Sequence, residues 1–367
     1  MKKLTRQDVT DILYGCTVLG TGGGGDLTSG LKLIEKDLLE NRDFFLASLD
    51  ELPDDAFVAV PYVCGAVSPT TEEEESKYAD LPEIDVTAAM RAWQTMEEYC
   101  GKEFYGIVAT ELGGENTAEA FHVAAGLGKC IVDGDPAGRS VPELQHSTFY
   151  VGGVPIAPIA FATPFGDSGI IDSVVNDTRA EALIRAMSVV SKNTIGVVDH
   201  PMTGATLKKA IIPGTISYAL KIGRTLRSAN ENGEDPVEAI VKAAVGEVLF
   251  RGMVKSFSWE TVDGFTVGDV VISGTGDHVG SEYKIWYKNE HIVSYLNENV
   301  HVMAPDLICV LDGNGMPVTN PHYKNGMELA VFALPAPKEW QTPRGLEVFG
   351  PRAFGFDFDY RSFRDIN

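Results

Sequence analysis

The chain has 367 residues, a formal net charge of −22 at pH 7 and 44% hydrophobic residues, which is the composition of an ordinary globular protein. Its length predicts a large core and two domains. The acidic excess makes nucleic acids and anionic membrane surfaces poor partners, because these bind clustered Lys and Arg. No apolar run is long enough to span a membrane, and no signal peptide is evident. Five scattered cysteines without CxxC spacing are typical of reduced thiols, so we expect a cytoplasmic protein.

The N-terminal part of the sequence alternates between helix and strand patterns. Thr5 begins a first helix with Asp8 three residues later, and a second helix follows a glycine-rich loop at residues 20–26. The next predicted elements are a strand at 57–63, a helix at 90–99, a strand at 104–110, a helix at 117–127 and a strand at 130–133. The acidic run at residues 72–75 is expected to be a solvated loop or the start of a helix. This alternation predicts a mostly parallel sheet with crossover helices.

The pattern changes in the second half of the chain. A hairpin is predicted across Gly152 and Gly153, joining strands at 149–151 and 154–162, and helices are predicted at 179–191, 216–229 and 236–245. From Val248 to about Leu334, short strand patterns alternate with turns, as in a β-barrel or sandwich. The sequence therefore predicts an α/β N-terminal domain (1–247) and a C-terminal all-β domain (248–338). An aromatic tail (339–367) is expected to pack back on the α/β domain.

The glycine-rich loop is the first candidate site. Consecutive glycines allow positive φ and close approach of a ligand to the backbone, so the loop is a candidate substrate-binding segment. The residues concerned are Gly22, Gly23, Gly24, Gly25 and Asp26. A helix rather than a strand precedes the loop, so it lacks the context of a dinucleotide-binding fingerprint. The alternative is a tight turn where two helices pack closely.

Acidic residues follow two predicted strands and form the second candidate site. Glu111 follows the strand at 104–110, and Asp133 and Asp135 follow the strand at 130–133. The carboxyl ends of parallel strands meet at one edge of a sheet, where ligands bind, so these acids are candidate general acids or bases. Nearby polar residues are candidate substrate ligands: Asn116, Arg139 and Glu143. The alternative is an internal network in which Arg139 pairs with the acids.

Histidines, cysteines and metals are less clearly indicated. His146 follows the acidic motif closely and is the histidine best placed for proton transfer, while His200 ends another strand pattern. Cys64 opens a loop after a strand, which suits a nucleophile, although a core thiol is the more common case. No HExxH or HxH motif is present, so the cofactor is unknown: a divalent metal such as zinc, held by dispersed ligands, stays open.

Several sequence blocks together resemble the S-methyl-thiohydantoin desulfurase-like family, which was first catalogued beside hydantoin-processing enzymes. The blocks are LGTGGGGD at 19–26, ELGGEN at 111–116, DGDPAGRSVPELQ at 133–145, APDLI at 304–308 and GPRAFG at 350–355. The resemblance implies an N-terminal α/β domain and a C-terminal β domain. It also implies a relation to hydrolysis of sulfur-bearing imidazolone rings, which gives a hydantoin and a thiol.

The sequence therefore favours a hydrolase of a cyclic amide or thio-imidazolone, with water activated by a strand-end carboxylate. In this hypothesis Glu111 or Asp135 activates water, and Asp133 or His146 moves protons. The partner is a small-molecule substrate, with a homo-oligomer or a hydantoinase-type partner left open. The main alternative is a non-catalytic partner or regulatory ligand-binding subunit of a hydantoinase-type enzyme. A third is nucleotide binding by the glycine loop.

Overall fold

The structure is a computed structural model that describes residues 1–65 and 76–365, so the acidic run at 72–75 lies outside the described residues. Within these ranges the helices are α1 (Arg6–Leu19), α2 (Leu27–Leu39), α3 (Ala88–Cys100), α4 (Asn116–Gly126), α5 (Thr148–Val151), α6 (Asp177–Val189), α7 (Gly204–Ala210), α8 (Thr215–Asn232), α9 (Pro236–Ala244) and α10 (Pro343–Phe349).

Local sequence signals explain where several of these helices begin. The Thr5 side chain accepts a hydrogen bond from the Asp8 N–H, and the Asp8 side chain accepts one from the Thr5 N–H, so both halves of a capping box begin α1. Asp26 caps α2 by accepting from the Ser29 N–H. The predicted helices of the first and second halves are confirmed to within a few residues.

An eight-stranded sheet forms the core of the N-terminal α/β part. Its order is β1-β2-β5-β4-β3-β9-β7-β8. The strands are β1 (Lys2–Leu4), β2 (Phe44–Ala47), β3 (Phe57–Gly65), β4 (Gly106–Ile107), β5 (Cys130–Val132), β7 (Ile159–Ala162), β8 (Ser168–Ile171) and β9 (Thr194–Thr203). The pairs β2–β5, β5–β4 and β4–β3 are parallel, whereas β1–β2, β3–β9, β9–β7 and β7–β8 are antiparallel. The alternation predicts the parallel arrangement of β3, β4 and β5, but it did not predict β1 or β2.

The sheet is therefore mixed, which corrects the expectation of a mostly parallel one. The hairpin predicted across Gly152 and Gly153 is also wrong. Ser147 accepts a hydrogen bond from the Tyr150 N–H and begins the short helix α5 there, and β7 pairs instead with β8. The two strands β6 (Gly134–Asp135) and β10 (Ile212–Pro213) pair separately as a small ribbon.

The second large sheet is antiparallel, has seven strands and forms a half-barrel. Its order is β15-β14-β13-β12-β11-β17-β16. The strands are β11 (Glu247–Val262), β12 (Phe265–Gly274), β13 (Glu282–Lys288), β14 (Glu290–Leu296), β15 (Asn299–Met303), β16 (Leu307–Asp312) and β17 (Glu328–Leu334). The all-β C-terminal region that the sequence predicts from Val248 is thus present. The division of the whole chain at residue 247 stays a prediction.

The C-terminal tail lies against both parts of the molecule. The Trp340 indole N–H donates to the Ala137 carbonyl at 2.7 Å, and the Phe349 ring packs on His146. Phe356 instead contacts Trp286 of β13 edge to face. The tail therefore covers the junction between the loop that follows β6 and the second sheet.

Candidate functional site

A cavity of about 590 Å³ lies where the glycine loop, the ends of β3 and β4, the first turn of α4 and the start of β14 meet. Its volume is within the range of small-molecule sites. Its lining includes many ionisable side chains: Asp26, Tyr62, Cys64, Glu83, Glu111, Glu115, Glu119, Glu143, His146, Arg185, Lys192, Asp199, His200 and Glu290. The predicted site residues Gly24, Gly25, Asp26, Glu111, Asn116, Glu143 and His146 all lie in this wall.

Glu111 is held in the cavity wall by two donors. Its Oε1 accepts from the Asn116 side-chain amide at 2.8 Å, and its Oε2 accepts from the Val141 N–H at 2.8 Å. The Asn116 Oδ1 accepts in turn from the Val63 N–H at 3.0 Å, so Asn116 joins β3 to Glu111. Burial raises the pKa of Glu111 to about 7 against the opposing effect of these two donors. A carboxyl group near its midpoint at neutral pH suits proton transfer.

Glu290 approaches the same cavity from the second sheet. It starts β14, is only 2% exposed, and its Oε2 has no hydrogen-bond partner among the described residues. Burial raises the pKa of Glu290 well above its usual value, Glu111 adds to this, and Arg139 opposes it. Glu290 and Glu111 are therefore two buried carboxyl groups, from different sheets, that disfavour each other's ionisation.

Glu290 was not predicted from the sequence, although a local signal exists for the turn before it. The preceding Asn289 has φ of +56° and makes the sharp turn between β13 and β14. Asn and Asp tolerate this left-handed conformation better than most residues. The turn alone does not reveal that the next side chain reaches the strand ends of the other sheet.

The glycine loop is tightly packed and also reaches the cavity. A Cβ on Gly23 would overlap the Glu290 carboxyl group, and one on Gly24 would overlap the Gly113 backbone and the Ser140 hydroxyl. Gly22, Gly24 and Gly25 also have positive φ. The loop is thus a tightly packed turn, and its second half forms part of the cavity wall.

The two aspartates after β5 make their hydrogen bonds outside the cavity. Asp135 is fully buried, and its Oδ2 accepts from the N–H groups of Ala137 and Gly138, both at 2.8 Å, so it stabilises the turn after β6. Burial raises the pKa of Asp135 to about 7. Asp133 accepts from the Ser217 N–H at 2.9 Å and from its hydroxyl at 2.6 Å, in the first turn of α8. Neither aspartate is part of the cavity lining.

Arg139 is fully buried and links the glycine loop to the second sheet. Its Nε donates to the Ser140 carbonyl, one terminal nitrogen donates to the carbonyls of Pro305 and Asp306, and the other donates to the Thr21 hydroxyl and the His291 carbonyl. Every N–H of the guanidinium is therefore used by protein acceptors. Arg139 therefore joins the glycine loop to the second sheet, and it is not among the residues that line the cavity.

Glu143 and His146 lie together at another part of the wall. Glu143 forms an ion pair with Lys288 of β13 and accepts from the Gln145 amide. Burial would raise the pKa of Glu143, but His146, Lys288 and these hydrogen bonds outweigh it and lower the pKa. His146 lies 3.7 Å from Glu143, and burial lowers its pKa to about 4, so the imidazole is neutral at pH 7. The His146 Nδ1 has no partner among the described residues.

A chain of polar groups from β3 and β9 completes the wall. The Tyr62 hydroxyl donates to Asp199 Oδ2 at 2.8 Å, and Asp199 Oδ1 lies 2.8 Å from His200 Nδ1. His200 has φ of +44°, a strained conformation that is common at functional sites. Its Nε2 lies 4.0 Å from Asp177 Oδ2. The sequence predicted His200 at a strand end, whereas it lies inside β9, where the register with β3 shifts. Its pairing with Asp199 was not predicted.

Cys64 also lines the cavity, but its environment does not activate it. Burial raises the pKa of the Cys64 thiol to about 12, against the opposing charge of Arg185. Thiolate is the nucleophilic form, so the thiol stays largely unreactive at neutral pH. In the structure Cys64 lies within β3, and the residues after Gly65 are outside the described part of the chain.

Two family models match the chain. The S-Me-THD-like N-terminal domain matches residues 7–173, and the S-Me-THD-like C-terminal domain matches residues 175–363. The chain belongs to the S-Me-THD-like family. The two family domains meet between β8 and α6, so the cavity of this S-Me-THD-like protein has Glu111 in the first family domain and Glu290 in the second.

A solved structure shares the fold of this S-Me-THD-like chain. The crystal structure of a protein from Chromobacterium violaceum aligns with a TM-score of 0.78 at 22% identity, covering 99% of this chain and 100% of that one. At this identity the likeness concerns the fold alone. No curated protein matches the chain.

The described residues of this family member contain neither a metal-ligand cluster nor a membrane-spanning helix. Within residues 1–65 and 76–365, no three His, Cys, Asp or Glu side chains are grouped as a metal ion requires. Over the same ranges no helix combines the length and apolar character needed to cross a bilayer.

Proposed function

We propose that this protein hydrolyses the carbon–sulfur bond of a sulfur-bearing five-membered imidazolone, of the S-methyl-thiohydantoin type, in the cavity between Glu111 and Glu290. The observation that carries the proposal is this pair of buried carboxyl groups on one cavity. Burial raises the pKa of both groups, to about 7 for Glu111 and well above the usual value for Glu290. Two interacting carboxyl groups of this kind are suited to opposite roles, one as base and one as acid. The S-Me-THD-like family membership supports the class of substrate.

Glu111 is the proposed general base, which keeps the strand-end carboxylate that the sequence favoured. In its ionised form it takes a proton from water while the water oxygen bonds to the ring carbon that carries sulfur. Asn116 and the Val141 N–H keep the carboxylate oriented for this transfer. A positioned base of this kind contributes about 10²–10⁴ to the rate.

Glu290 is the proposed general acid. In this proposal Glu290 carries a proton and donates it to the departing sulfur as the carbon–sulfur bond breaks. The hydroxyl proton left from the water passes to the ring nitrogen as the carbonyl forms, so the C=N bond of the substrate becomes the amide of the product. The products are a hydantoin and a thiol, and one water is consumed for each carbon–sulfur bond broken. The proton taken by Glu111 returns to Glu290 through solvent before the next turnover. Backbone N–H groups of Gly24 and Gly25 are the proposed donors to the ring carbonyl.

The test is turnover by the purified protein alone. We expect S-methyl-thiohydantoin to yield hydantoin and methanethiol, with the thiol followed by a chromogenic disulfide reagent. Glu111→Gln is expected to lower kcat/KM by about 10²-fold or more. Glu260→Gln, which changes an exposed carboxyl group on β11, is the matched control and is expected to match the wild type.

Two outcomes would contradict the proposal. Wild-type protein that turns over no member of a hydantoin and thiohydantoin panel would favour the non-catalytic partner or regulatory subunit. Full activity in both Glu111→Gln and Glu290→Gln would move the chemistry to another part of the wall. His146 and the Asp199–His200 pair would then be the next candidates.

A further inference from the structure

The cavity has room for more than one small ring. Its volume of about 590 Å³ suits a ligand with a substituent, because pockets of this size typically enclose drug-sized molecules. The wall extends from Glu111 along the first turn of α4 to Glu119, which also lines the cavity. Glu119 is one helical turn beyond Glu115, which corresponds to about 6 Å along the helix axis.

Glu119 is a buried acid, and one of its two carboxyl oxygens accepts no hydrogen bond from the described residues. The residue is 7% exposed, and its Oε2 has no hydrogen-bond partner among the described residues. Burial raises the pKa of Glu119 to about 7, with His122 opposing and Glu115 adding to the rise. A buried carboxyl oxygen without a donor is costly, and a ligand that supplies N–H groups removes this cost.

Neighbouring hydrogen-bond donors are already paired. His122 is three residues along α4, and its Nδ1 lies 2.9 and 3.0 Å from the two Asp37 oxygens. Asp37 also pairs with Arg42 at 2.6 Å. On the cavity side, Arg185 donates to Glu181 and to backbone carbonyls. None of these contacts brings a donor to Glu119 Oε2.

The charged side chains of the cavity wall also favour a cationic ligand. Among the described lining residues, eight are acids and two are Lys or Arg. The acids are Asp26, Glu83, Glu111, Glu115, Glu119, Glu143, Asp199 and Glu290, and the cations are Arg185 and Lys192. Such a wall attracts a cation and disfavours a ligand that carries a carboxylate.

We propose that Glu119 is a specificity residue for a ring substrate whose substituent ends in a cationic amine or guanidine. The inference rests on the proposed function for the place of the ring, beside Glu111 and Glu290. The flexible arm then follows the first turn of α4, and its cationic N–H groups donate to Glu119. Such charge-assisted hydrogen bonds in a desolvated site are stronger than neutral ones.

The test compares two hydantoins by titration calorimetry with the full-length protein. One carries a 4-aminobutyl group on ring carbon 5 and the other an uncharged pentyl group of the same length. We expect the aminobutyl compound to bind at least about tenfold more tightly, the scale of one hydrogen bond to a charged group. Glu119→Gln should reduce this preference to within about threefold. Glu103→Gln, which removes an exposed charge outside the cavity lining, should keep it.

A second measurement uses only wild-type protein, in case Glu119→Gln does not fold. At pH 6 the Glu119 carboxyl group is largely protonated, with His122, Glu115 and Asp37 as the charges around it. Binding of the aminobutyl compound should therefore release up to about one proton, measured from binding heats in buffers of different ionisation enthalpy. The pentyl compound should release none.

Equal affinity for the two compounds, or a preference that survives Glu119→Gln, would overturn the inference. Equal proton release by both compounds would do the same. Because hydantoins serve here as binding probes and no turnover is measured, an inactive protein that prefers the aminobutyl compound would contradict only the proposed hydrolysis. An active protein without that preference would contradict only the role of Glu119.

Discussion

The Asn116 side chain donates to Glu111 Oε1 at 2.8 Å and thereby fixes the carboxyl group that we assign as general base. A donor to a carboxylate favours its ionised form, so Asn116 keeps the pKa of Glu111 lower than burial alone would set it. Loss of this donor should raise the pKa. Removing the Asn116 side chain also leaves the Val63 N–H without its acceptor, Asn116 Oδ1.

Asn116→Ala should therefore move the acidic limb of the pH–rate profile to higher pH, by roughly one unit. The limb reports ionisation of the base in the free enzyme when kcat/KM is plotted. The measurement is kcat/KM for S-methyl-thiohydantoin between pH 5 and 9. A uniform decrease at every pH, without a shift of the limb, would show that Asn116 supports the structure only.

Gly23→Ala should displace Glu290 and leave the fold largely intact. The added Cβ would overlap the end of the Glu290 side chain, which can rotate away, and Gly23 does not have positive φ. We expect kcat to fall about tenfold or more with little change in Tm, because the proton donor is misplaced. A normal kcat would show that the acid is not Glu290.

Gly24→Val should behave differently, because Gly24 has φ of +78° and its Cβ would meet the Gly113 backbone. A β-branched residue strains this conformation, and the neighbouring backbone cannot rotate away. We expect a loss of about 2 kcal/mol or more in the free energy of unfolding. Chemical denaturation measures this loss, and an unchanged midpoint would contradict the packed-turn interpretation.

Asp135→Ala should destabilise the protein without changing its chemistry. The substitution removes the acceptor of two buried N–H groups, at a cost of about 1–3 kcal/mol for each group left unsatisfied. Asp135→Asn keeps an acceptor oxygen and should restore most of the stability. Both variants should keep the kcat/KM of the wild type per folded molecule. A drop of about 10²-fold in the Asn variant would return Asp135 to the mechanism.

Glu119→Gln should change how stability depends on pH. The pKa of Glu119 is about 7 in the folded protein, above the value near 4.5 in the unfolded chain. The folded state therefore binds more protons between these values, and wild-type stability from this group is lost as pH rises from about 4.5 to 7. Gln does not titrate, so at pH 8 the free energy of unfolding of the variant should have risen by up to about 3 kcal/mol relative to that of the wild type. A parallel pair of stability–pH curves would contradict this.

The sequence predicted the features that depend on near neighbours. Thr5 with Asp8 marks a helix start that the structure confirms, and strand–helix alternation predicted that β3, β4 and β5 are parallel. The residues around Gly152 were misassigned because the Ser147 cap competes with an apolar pattern of the same length. The direction of β9 was beyond local reasoning, since it depends on pairing with β3 more than a hundred residues earlier.

The site residues show the same difference between what near neighbours reveal and what only the fold reveals. Glu111, Asn116, His146 and the second half of the glycine loop lie together in one wall, as strand-end positions suggest. Asp135 and Arg139 have the residue types of a site, but their hydrogen bonds are used inside the protein, which spacing cannot reveal. Glu290 escaped notice because only the three-dimensional fold places it against Gly23.

The buried guanidinium of Arg139 also restricts how the cavity can respond to a ligand. Separating the glycine loop from the second sheet would break its hydrogen bonds to Thr21, His291, Pro305 and Asp306 together. Such a movement would break all of these hydrogen bonds to a charged group at once, which is unfavourable. We therefore expect the cavity to change shape little when a ligand binds. New substrate specificities should then arise through substitutions in the cavity lining rather than through domain closure.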